Sequence, residues 1–198
     1  DCTVSSSNTN AVSGAGTLNY SNVTFSNTSN LINTTTQAAN YANIGKYKAS
    51  GQPAFFSYIN AASIDNVTGD GTVYTVIWNA TLFDQNSNFN TGTGTFTAPD
   101  AGRYQFNLVI NVAQMSATTN AFVAAIVTSG GNTYRLNTDV FTSGITSQDT
   151  ATGSMVISLA AAETVTTTIT VSGGTKTADI AGLSGAFYSS HWSGYLVA

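Results

Sequence analysis

From Gln52 onward, short apolar segments alternate with turn signals. The segments are AFFSYIN (54–60), TVYTVIWNA (72–80), GRYQFNLVINV (102–112), AFVAAIV (121–127), TYRLNTDV (133–140), GSMVISLA (153–160), TVTTTITV (164–171) and WSGYLVA (192–198). Between them lie Gly69-Asp70-Gly71, Gly130-Gly131-Asn132 and Gly173-Gly174, all suited to positive φ. No segment sustains a helical period. Short strands at this spacing predict an all-β sandwich or barrel.

The clearest strand is 102–112. Tyr104, Phe106, Leu108, Ile110 and Val112 share one face; Arg103, Gln105, Asn107 and Asn111 share the other, interrupted by Val109. One face therefore points at a core and one at water. Residues 164–171 repeat the pattern, with Val165, Ile169 and Val171 opposite a threonine row. AFVAAIV is apolar on both faces. Its second face is expected to need a partner from another sheet or another subunit.

Residues 1–51 read differently, as an extended arm or stalk. In the first forty, 23 are Ser, Thr or Asn. Leu18 with Tyr20 and Val23 with Phe25 keep a period of two, which fits one or two weak strands. A flexible linker and a strand lent to a neighbouring subunit both fit this text. Asp1 is not an initiator, so a cleaved secretion signal or a longer parent chain is expected upstream.

Composition narrows the function. Charged residues are only 7% of the 198, and the net charge is −4. Five Lys/Arg cannot neutralise a phosphate track, which excludes a nucleic-acid binder and an electrostatic membrane dock. No apolar run approaches the roughly 20 residues of a membrane helix. Cys2 is the only cysteine and makes no intrachain disulfide. The six Asn-x-Ser/Thr sequons are about what this composition yields by chance, so they carry no glycosylation signal.

The stretch GTGTFTAPDAGRYQF (92–106) carries one of the two prolines. Pro99 suits the second position of a tight turn, Asp100 and Ala101 carry the bend, and Gly102 opens the next strand. Around it, Trp78, Asp84, Phe89, Phe96, Gly102, Tyr104 and Phe106 follow the spacing aromatic, five residues, Asn/Asp, four, aromatic, six, Phe, five, Gly-x-Tyr-x-Phe. This resembles the signature of the C1q globular domain family. PAFFS (53–57) is similar to that family's opening strand, and HWSGYL (191–196), with Gly194, to its closing strand. Trp78, where the family usually has Phe, and Leu108, where it usually has an aromatic, depart from the pattern. The resemblance covers residues 52–198. It implies a ten-stranded jelly roll, shared with tumour necrosis factor, that forms a trimer. Such a trimer is expected to cover the second face of AFVAAIV. The Gly-X-Y collagen stalk usual in vertebrate members is missing; the wording is more similar to C1q-like domains of bacteriophage fibres and secreted bacterial proteins.

Catalytic equipment is scarce. Any Ser-His-Asp arrangement must use His191, the one histidine, which adjoins Trp192 at a strand start where a packed histidine is ordinary. Neither a cofactor nor a zinc site is expected, since one His and one Cys fall short of a ligand set. Some C1q-like domains bind calcium, which makes Asp65, Asp70 and Asp84 weak calcium candidates; an Asx-stabilised turn is the ordinary reading of the 65–71 segment. Tyr134, Phe187 and Tyr188 lie near expected loops and fit either ligand contacts or caps on the core. Two functions fit this inventory. One is a non-enzymatic homotrimeric head on a virion fibre, capsid or cell surface that binds a receptor or glycan. The other is a secreted filament subunit in which a segment such as Val12 to Phe25 inserts into the next protomer.

Overall fold

A computed structural model describes residues 2–4, 23–25, 52–141 and 147–197. The chain divides into two compact units, 1–49 and 50–198. In the first, β1 (Cys2–Val4) pairs in parallel with β2 (Val23–Phe25), so the expected Val23–Phe25 strand is present. Leu18, Tyr20 and Val12 lie outside the described residues, as do four of the sequons.

The second unit is an all-β sandwich, with no helix among the described residues. Its first strands are β3 (Ala54–Tyr58), β4 (Ser63–Thr68), β5 (Val73–Thr75), β6 (Ala80–Gln85), β7 (Phe89–Asn90) and β8 (Thr95–Thr97). The long strands follow: β9 (Gly102–Met115), β10 (Ala121–Thr128), β11 (Thr133–Val140), β12 (Ser147–Leu159) and β13 (Thr164–Ser172). β14 (Ala178–Ala181), a small hairpin of β15 (Leu183–Ser184) with β16 (Phe187–Tyr188), and β17 (His191–Leu196) close the chain. One sheet runs β11-β10-β13-β8-β7, with β5 also beside β13. The other runs β4-β14-β9-β17-β3-β6, with β12 along the free side of β9. All pairings in both sheets are antiparallel.

Alternation along the strands builds the core. Tyr104, Phe106, Leu108, Ile110 and Val112 of β9 are all buried, facing Val165, Ile169 and Val171 of β13 and Phe122, Ala124 and Ile126 of β10. Residues 72–80, expected as one strand, are split. β5 ends at Thr75, and Val76 and Trp78 turn inward instead, the Val76 N–H bonding Thr167 O at 2.9 Å. Val76 and Trp78, two residues apart, share the inward face, and the chain resumes as a strand only at Ala80, paired with β3 in the other sheet.

Burying Trp78 also buries its indole N–H, which donates to Thr167 Oγ1 at 2.8 Å. Thr167 interrupts the aliphatic side of β13 for this purpose. Thr167→Val leaves that N–H unpaired in the core and is expected to cost about 1–3 kcal/mol by urea unfolding. Trp78→Phe combined with Thr167→Val is expected to cost less than the two singles added together.

The β12–β13 turn is closed by a carboxylate. Ala160 N–H donates to Glu163 Oε2 at 2.9 Å. That bond holds the Glu163 carboxyl below its ordinary range. A depressed folded-state value stabilises above the unfolded value and loses its contribution as the pH falls through the folded one. Glu163→Gln is therefore expected to destabilise by under about 1 kcal/mol at neutral pH, the site being solvent-screened. The gap to wild type closes as the pH falls below the ordinary carboxylate range, about 4.3, in thermal melts against pH.

Candidate functional site

The seven-stranded sheet presents an unusual outward face. Pairing lines up Tyr58, His191, Val109 and Thr152 across β3, β17, β9 and β12. The next row is Phe56, Ser193, Asn107 and Ser154, and the next Ala54, Tyr195, Gln105 and Val156. Paired residues share a face, and the residues between them (Phe55, Trp192, Phe106) fill the core. No charge falls in these three rows. Phe83, opposite Phe56, extends the surface onto β6. Val156 is 51% exposed, Phe83 49% and Tyr195 45%, large apolar groups left in water on a single protomer.

Ring packing gives this face a rigid centre. His191 stacks on Phe56 at 5.2 Å and 15°, and Tyr188 stands edge-on to Phe56 at 6.0 Å and to Tyr58 at 4.8 Å. The backbone carbonyl of Tyr188 lies 3.2 Å from His191 Nδ1. Beside the rings, Gln105 bonds Asn107 Oδ1 and Ser154 Oγ, and Asn111 Nδ2 donates to Thr150 Oγ1. These amides and hydroxyls are held by one another, so an apposed surface meets a fixed pattern rather than free side chains.

The candidate ligand contacts separate. Tyr134 is half-buried against the core, a cap. Tyr188 belongs to the aromatic face. Phe187 stands on the β15–β16 hairpin, whose turn holds Gly185 at φ 63°, and is 76% exposed.

The signature residues are scaffold. Phe89, Phe96, Tyr104, Phe106 and Trp78 converge on Phe55 and Trp192, with Phe55 4.8 Å from Phe89, 5.0 Å from Phe96 and 4.9 Å from Trp192. Asp84 accepts the Asn88 and Phe89 N–H groups, both at 3.1 Å, and closes the turn before β7. Gly194 lies against the rings: a Cβ there would meet Phe106 and Phe55 atoms at 2.6 and 2.8 Å. Pro99, Asp100 and Ala101 form an exposed bend before Gly102, and Tyr104 Oη donates to Asp100 O at 2.7 Å to tie it down. A family model described as the C1q domain matches residues 55–197. The chain belongs to the C1q family.

Solved structures are similar to the chain. The globular domain of zebrafish complement 1qA is 20% identical, with 74% of this chain and 98% of that one covered and a TM-score of 0.46. Murine APRIL at pH 5.0 is 10% identical, with 74% and 99% covered and a TM-score of 0.50. No curated protein matches the chain. C1q and tumour-necrosis-factor domains are non-enzymatic ligand-binding modules, typically homotrimeric and usually secreted or extracellular.

Two features of this C1q domain bear on its surface chemistry. The second face of AFVAAIV is not the bare apolar surface. Ala125 is buried and Ala121, Val123 and Val127 half-buried, because these short side chains sit between the flanking rows of β11 and β13. The uncovered aromatics are on the opposite sheet. The calcium candidates are also separate in their bonding. Asp65 accepts Ser63 Oγ, Asp70 accepts Thr72 N–H at 3.0 Å, and Asp84 serves its own turn. The Thr72 hydroxyl and N–H hold the exposed Asp70 carboxyl below its usual range. Among the described residues no three His, Cys, Asp or Glu gather as a metal cluster. Sequence reasoning missed Phe56, Tyr58, Phe83, Val156 and Tyr195. Consecutive aromatics, as at Phe55-Phe56, were the available signal: in a strand they cannot share a face.

Proposed function

We propose that this chain forms a homotrimer through the aromatic face of its seven-stranded sheet and serves as a display head on a virion fibre, capsid or cell surface. The observation that carries this reading is the concentration of Phe56, Phe83, Val156 and Tyr195 on one face, in and beside three rows that hold no charge. Exposed apolar surface gathered into one patch marks a protein contact, and the family's domains are typically homotrimeric. The head then contacts a receptor or surface glycan through loops outside that face, with Phe187 as the most exposed aromatic anchor. No metal or organic cofactor enters this reading.

The test is binding of the full chain to a glycan array and to intact host-type cells, beside Phe187→Ser. Retention that drops at least about tenfold in the variant, with unchanged molar mass, supports the reading. Absence of binding to either, or equal binding by both proteins, overturns the receptor part of it.

A further inference from the structure

The single histidine of the chain lies within the aromatic face. His191 opens β17, opposite Tyr58 of β3 and Val109 of β9. Its ring stacks on Phe56 at 5.2 Å, and its Nδ1 lies 3.2 Å from the Tyr188 carbonyl. A carbonyl only accepts, so Nδ1 carries the hydrogen of the neutral ring and Nε2 is where a second proton binds. His191, Phe56, Tyr58 and Val109 are already half-buried in one protomer. We propose that His191 makes assembly pH-dependent: the trimer holds while this imidazole is neutral and comes apart when it takes up a proton. The proposal rests on the reading of the aromatic face as the trimer contact.

Among the described residues, no carboxylate faces the ring. Its titratable neighbours are Tyr58 and Tyr188, phenols that stay uncharged where an imidazole titrates. β9 and β12 bring Val109 and Thr152 to the same row. On this side of the sheet, Asp179 of β14 stands opposite Ala113, two rows beyond Val109, and Arg103 opposite Ser158, three rows the other way. At about 3.4 Å per residue these are about 14 and about 20 Å away along β9. Asp179 accepts the Asn66 N–H at 2.7 Å, and Asp65 on β4, the next strand out, accepts Ser63 Oγ. Asp84 of β6 and Asp149 of β12 pair with Phe55 and Val112, on the core side.

In a lone copy an imidazolium keeps its water, and the Phe56 ring favours it. Covered by a second copy it loses that water and gains no counter-charge, a loss larger than the stacking gain. A separated copy therefore binds a proton that an assembled one refuses. Assembly is at full strength above the range of a solvated imidazole, about 6.5, and weakens as the pH falls below it. One proton enters per copy. The trimer dissociation constant is then expected to rise about a thousand-fold from about pH 8 to about pH 5.5, where ordinary carboxylates remain ionised.

Sedimentation equilibrium of the full chain at these two pH values, at dilutions where the species at the higher pH begins to dissociate, tests this. The thousand-fold ratio is expected with an unchanged circular dichroism spectrum. His191→Phe and His191→Gln cannot take up the proton and are expected to give one constant at both pH values, whatever its size. His191→Lys fixes the charge and is expected to associate weakly at both. A wild-type ratio below about tenfold, a ratio as large in His191→Phe and His191→Gln as in wild type, or tighter assembly in acid overturns the proposal and leaves the trimer standing. A mass of one chain at both pH values overturns the trimer reading and this proposal with it.

Discussion

Trp192→Ala is expected to lower the unfolding free energy by about 3–5 kcal/mol, the cost of deleting a fully buried large aromatic whose site collapses only in part. Trp192 is 0% exposed and is ringed by Phe55, Phe89, Phe106 and Trp78 at centroid distances of 4.9, 5.6, 5.8 and 6.4 Å. Those rings come from both sheets, so removing the indole loosens the contact between the layers rather than one strand. For a unit of this size the loss corresponds to about 10–15 °C in Tm. Trp192→Phe is expected to cost far less. Its lost Nε1 has no hydrogen-bond partner, whereas the Nε1 of Trp78 is paired to Thr167. Differential scanning calorimetry of the two Trp192 variants reads the contrast directly. Equal losses from Ala and Phe would mean that the indole's shape, not its bulk, holds the sheets together.

Val156→Asp is expected to leave the protomer folded and dissociate the proposed trimer. Val156 is about half exposed on β12, so an aspartate there is solvated in a lone copy. In the proposed assembly it buries a carboxylate among rows that hold no charge, three times per trimer. Each such burial costs several kcal/mol. The dissociation constant is expected to rise at least about a thousand-fold. By light scattering the mass falls from about 61 kDa toward the 20.4 kDa of one chain, with an unchanged far-ultraviolet spectrum. Because a Val156 substitution touches neither Trp192 nor Gly194, the two predictions separate the stability of the fold from that of the assembly.

Local pattern made the strands legible and left the exposed face hidden. In β9 residues two positions apart share polarity except at Val109, so strand and core face are both readable from Tyr104 to Val112. Residues 72–80 misled because Val76, Ile77 and Trp78 are apolar in succession. Only the tertiary position of Thr167 shows that the run leaves the ladder. AFVAAIV was correctly a strand, yet its second face is half-buried between the rows of β11 and β13, and the β13 neighbours fall in no local window. The aromatic face has the same origin. Phe56, Tyr195 and Val156 are separated by up to 139 positions and meet only through the pairing of β3, β17, β9 and β12.

Everything proposed about assembly comes down to whether the surface around Tyr195 is dry in solution. Oxidative footprinting of the intact chain, at a dilution where it sediments as one species, measures this. Tyr195 and Val156 are expected to be shielded nearly as well as core Phe106, while Phe187 is modified readily. Tyr195 and Val156 as reactive as Phe187 would show an open sheet and contradict the account.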